Sequence, residues 1–137
     1  MSRAEARFTH LAVATSGITG LVYGWLRYFV EPLDEFALVN HPAEPWWKDM
    51  HILLVPLLLM AFGLVFRDHI WAKWRSGARP RRRTGLVLAT LFAPMVFSGY
   101  LLQISGDPMW RQIWLVLHLV SSLVWLPFYA IHQFTRA

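Results

Sequence analysis

The sequence contains no cysteine. That absence excludes disulfides, thiolate metal sites, iron–sulfur clusters and covalent c-type haem attachment in one step. Any bound metal must then be held by histidine, methionine or carboxylate. Acidic residues are few, 8 against 13 lysines and arginines, and none forms a carboxylate pair inside an apolar stretch. There is no P-loop and no Gly-x-Ser-x-Gly elbow, so neither phosphoryl-transfer nor hydrolytic chemistry has a recognisable seat.

What is present is apolar. Of 137 residues, 56% are hydrophobic and the mean hydropathy is +0.40, above the range of soluble domains and characteristic of an integral membrane protein. Four apolar segments, at roughly 10–30, 50–67, 84–104 and 112–132, each approach the length that crosses a bilayer core. They predict an all-α, integral membrane four-helix bundle forming a single domain over residues 1–137. The first segment follows SRAEAR without a small-residue cleavage site and reads as a retained helix rather than a signal peptide.

The net charge of +5 reflects topology rather than nucleic-acid binding. Arg3, Arg7, Arg67, Lys73, Arg75, Arg79, Arg81, Arg82, Arg83 and Arg136 fall on one side of the expected bundle. Glu31, Asp34, Glu35, Glu44, Asp49 and Asp107 fall on the other. The positive-inside rule then makes both termini and the 67–83 loop cytoplasmic. Trp46, Trp47, Trp71, Trp74, Trp110 and Trp114 read as interfacial anchors.

Histidines inside such helices call for a function, because an intramembrane imidazole without a partner is costly. His118 and His132 lie fourteen residues apart in one apolar run, a rise of about 21 Å with a return to within roughly 40° of the same face. The alternation of helix direction puts His51 level with His118 near the outer face, and His10 level with His132 near the inner face. Two neutral imidazoles from facing helices suit a low-spin b-type haem, so the four histidines predict two stacked, non-covalent b-type haems with His10, His51, His118 and His132 as iron ligands. Zinc fits less well, since four ligands would have to converge at one depth. Small residues, including Gly17, Gly20, Gly24 and Gly99, taken alone point first to close helix packing; combined with the histidines, they point to clearance for a flat ring. Arg7, Arg67, Arg111 and Arg136 could meet haem propionates. His69 and Asp68, at the headgroup boundary, mark a candidate quinone site, and His41 reads as a turn residue.

RFTHLAVATSGITG, His51, SGYLL and HLVSSLVWLPFYAIH together resemble the four-helix core of dihaem cytochrome b subunits, the membrane anchors of formate dehydrogenases and nickel–iron hydrogenases. The resemblance implies electron transfer between a quinone pool and a partner redox subunit, such as a cytochrome c or an iron–sulfur protein, in a bacterial inner membrane. Two other readings stand beside it: a haem-free structural subunit whose histidines bond to neighbouring helices, and a proton relay.

Overall fold

The computed structural model describes residues 2–77 and 81–134. Five α-helices follow one another: α1 (Arg3–Tyr28), α2 (Glu44–Val65), α3 (Ala72–Arg75), α4 (Arg82–Ile104) and α5 (Pro108–Phe134). A π-helical segment, Phe66–Trp71, joins α2 to α3. The chain divides into two compact units, Met1–Ala72 and Lys73–Ala137. Each is built on a helical hairpin, α1 with α2 in the first and α4 with α5 in the second.

The expected four-helix membrane bundle is corrected by this architecture. Among the described residues the α-helices number five rather than four, and three of them, α2, α4 and α5, are long and apolar enough to cross a membrane. The physical reason lies in α1, where Arg3, Glu5, Arg7, Thr9, His10, Thr15, Ser16 and Thr19 dilute the apolar residues. The protein is nonetheless a multi-pass membrane protein. At most 17% of each spanning window is buried within the protein, which leaves the remaining apolar surface to lipid.

The first hairpin packs a stripe of small and β-branched residues, Ala12, Val13, Ser16 and Thr19 of α1, against Leu58 and Ala61 of α2. Such residues let membrane helices approach closely. Ser2 caps α1 through a reciprocal capping box with Glu5, which satisfies two otherwise orphaned donors. The α1–α2 connection is closed by Glu44, which is 5% exposed. Its carboxylate pairs with Arg27 at 3.2 Å and accepts from the Asn40 backbone N–H at 3.0 Å. The Asn40 side chain in turn donates to the Arg27 carbonyl at 2.8 Å. His41 belongs to the same turn, with its Nδ1 accepting from the Ala43 N–H at 3.1 Å.

The second hairpin is regular. Gly85, Phe92 and Gly99 of α4 oppose His132, Trp125 and His118 of α5, so contacts recur every seven residues on both helices. A sevenfold spacing is what keeps one seam of two antiparallel helices in register. Phe92 and Trp125 are buried at its centre, with ring centroids 6.2 Å apart, and the Trp125 indole N–H donates to the Leu88 carbonyl at 3.0 Å.

Candidate functional site: three imidazoles seated on glycines

Three of the six histidines share one local device. In the first hairpin, Nδ1 of His51 lies 3.0 Å from the carbonyl oxygen of Ser16, and the ring covers Gly20. A Cβ at Gly20 would stand 2.8 Å from His51 Cε1. In the second hairpin, Nδ1 of His118 lies 2.9 Å from the carbonyl oxygen of Met95, and a Cβ at Gly99 would stand 3.0 Å from its ring. The carbonyl and the glycine are four residues apart in both cases. A helical C=O already accepts from the N–H four residues on, and its second lone pair is reachable from the side when that later residue has no Cβ.

His132 uses a variant of the same arrangement. Its Nδ1 meets Thr84 Oγ1 at 2.8 Å, and Thr84 donates its own proton to the Arg81 carbonyl at 3.0 Å. Arg81 and Gly85 are again four residues apart, with the Gly85 N–H on the Arg81 carbonyl at 2.9 Å. The hydroxyl relays a bond that the other two histidines make directly.

A carbonyl only accepts, so a neutral His51 and a neutral His118 each carry the ring proton on Nδ1 and the lone pair on Nε2. His51 is further supported by Thr19 Oγ1 at 3.3 Å. An imidazole held in this way can accept a proton or a hydrogen bond through Nε2. In α5, Trp125 and Tyr129 occupy the interval between His118 and His132, stacked at 5.3 Å with their planes 14° apart.

The two b-type haems expected from the sequence are corrected here. Among the described residues, no group of three or more histidine, aspartate or glutamate side chains could hold a metal ion. The clearance at Gly20 and Gly99 that would have admitted flat rings is filled by His51 and His118 of the same hairpin.

The remaining sequence-predicted residues are dispersed. His10 and Arg7 are exposed on α1, and Gly17 is half-buried there. Arg67 is exposed and His69 half-buried in the π-helical segment, while Arg111 is exposed in the first turns of α5. Arg136 lies outside the described residues, as does the side chain of Asp68. Residues 66–71 form a π-helical segment, and π segments recur at functional positions. Sequence reasoning missed Thr84, whose place beside Gly85 was the available signal. Ser121 and Thr9, the hydroxyls nearest the histidines in sequence, instead bond carbonyls of their own helices.

The fold and these sites define a multi-pass helical membrane protein with imidazoles pinned inside its hairpins. Comparison with protein-family models, with curated proteins and with solved structures gives no match.

Proposed function

We propose that the chain is a membrane-embedded electron-transfer subunit of a larger redox complex in a bacterial inner membrane, exchanging electrons with a quinone pool. The observation that supports this reading most is the α4–α5 seam. Two oriented imidazoles, about 21 Å apart by helical rise, end a column whose interval holds the stacked Trp125 and Tyr129. Quinol oxidation releases two protons with two electrons, and a neutral imidazole with its lone pair on Nε2 can accept one of those protons. The resemblance to the membrane anchors of formate dehydrogenases and nickel–iron hydrogenases supports the same reading, with a cytochrome c or iron–sulfur protein as the class of redox partner.

A second reading has its own observation. The bonds from His51, His118 and His132 to the facing helix of their hairpins suit a structural subunit whose histidines hold helices together.

Reconstitution separates the two. The purified protein is placed in vesicles with trapped ferricyanide and an impermeant reductant outside. Electron transfer predicts ferricyanide reduction well above protein-free vesicles, and a loss of that rate in a folded His118→Asn variant. A rate equal to that of empty vesicles overturns the reading and leaves the structural one.

A further inference from the structure

Between Asp68 and Asp107 the chain carries no acidic residue, yet it carries Lys73, Arg75, Arg79, Arg81, Arg82 and Arg83. Such a one-signed run is more than a topology signal if its members share a surface, and five of them belong to described segments of one unit. Lys73 and Arg75 are exposed on α3, and Arg81, Arg82 and Arg83 are exposed at the start of α4. The Arg82 guanidinium lies 5.6 Å over the Trp74 ring, a cation–π contact that brings the first turn of α4 onto α3. Trp74 itself remains 53% exposed, so the patch presents both charge and an amphipathic aromatic surface.

Its position says what it meets. The stretch connects α2 to α4, two of the helices able to cross the membrane, and so lies at the level of lipid headgroups. There a tryptophan prefers the interface, and guanidinium groups pair with phosphate through two parallel bonds. We propose that this patch, Lys73, Trp74 and Arg81 to Arg83, binds anionic phospholipid headgroups of the phosphatidylglycerol type. The sequence from 69 to 106 contains no acidic residue, and the phosphodiester supplies the complementary charge. The inference stands apart from the electron-transfer reading.

The test uses the full-length protein in nanodiscs of equal phosphatidylglycerol and phosphatidylcholine, with retained lipids counted by native mass spectrometry. The wild type should retain phosphatidylglycerol preferentially, by about five-fold for each charge that engages a headgroup. The R81Q/R82Q/R83Q variant should approach parity, and R81K/R82K/R83K should keep most of the preference. Raising salt from about 50 to 500 mM should erode the wild-type preference without any substitution, which keeps the test decisive even where the glutamine variant fails to fold. Parity in the wild type, or a preference indifferent to both salt and the arginines, overturns the proposal. Parity would instead direct attention to an acidic protein surface as the occupant.

Discussion

Gly99 stands where any side-chain carbon would come within 3.0 Å of the His118 imidazole. Gly20 stands in the same relation to His51, at 2.8 Å. Replacing either glycine by alanine should force the imidazole off its carbonyl partner or push the helices apart, at a cost of about 1–3 kcal/mol. Gly24→Ala is the internal control, since nothing lies within 4 Å of a Cβ there. Thermal unfolding in detergent should rank Gly20→Ala and Gly99→Ala well below the wild type and Gly24→Ala level with or slightly above it. Equal melting of all three would remove the close approach from the account.

Thr84 carries the relay to His132. Thr84→Val keeps the shape of the side chain and removes the hydroxyl, so it should cost about 0.6–1.7 kcal/mol, the range of interhelical hydrogen bonds in membranes. Thr84→Ser should restore most of it. The comparison of valine with serine, measured as unfolding in denaturing detergent, isolates the hydroxyl from packing; identical losses would show that the bond contributes nothing.

The Arg27–Glu44 pair joins the end of α1 to the start of α2. Glu44 is buried while the Arg27 side chain is 44% exposed, so the pair falls between an exposed ion pair and a buried one. Arg27→Ala should cost about 1–3 kcal/mol, chiefly by leaving a carboxylate covered without its counter-charge. Arg27→Ala/Glu44→Gln should recover part of that loss. A double variant less stable than the single one would contradict this origin of the cost.

The number of crossings has a direct test, helped by a chain without cysteine. Single cysteines at Ala4 and Phe134, both exposed, should react with an impermeant maleimide from opposite sides of sealed vesicles if α2, α4 and α5 alone cross. Labelling of both from one side would restore an even number of spans.

Much of this fold was legible in the sequence, and the parts that were not share a cause. Apolar runs and turn residues located α4 to within two residues and α5 to within four, and missed the start of α2 by six. The first helix was also found, but its hydroxyl-rich composition was read as part of a spanning segment although those hydroxyls serve helix packing. The fourteen-residue interval between His118 and His132 was plain, whereas the matching interval between Gly85 and Gly99 passed unnoticed. Gly20 and Gly99 were read as clearance for a ring from outside the chain, yet the rings they admit are the chain's own. Thr84 and Glu44 stayed hidden because their importance depends on which helices are neighbours, a property of pairing that hydropathy does not encode. The π-helical turn at 66–71 has no compositional signature at all.

The closure of each hairpin upon itself bears on how the protein is made. Every glycine-seated imidazole finds its carbonyl or hydroxyl in the helix synthesised just before its own, and none of these bonds waits for the other unit. The histidines can therefore leave water already partnered as each hairpin enters the bilayer. Synthesis order alone spares the chain from carrying a bare imidazole into hydrocarbon.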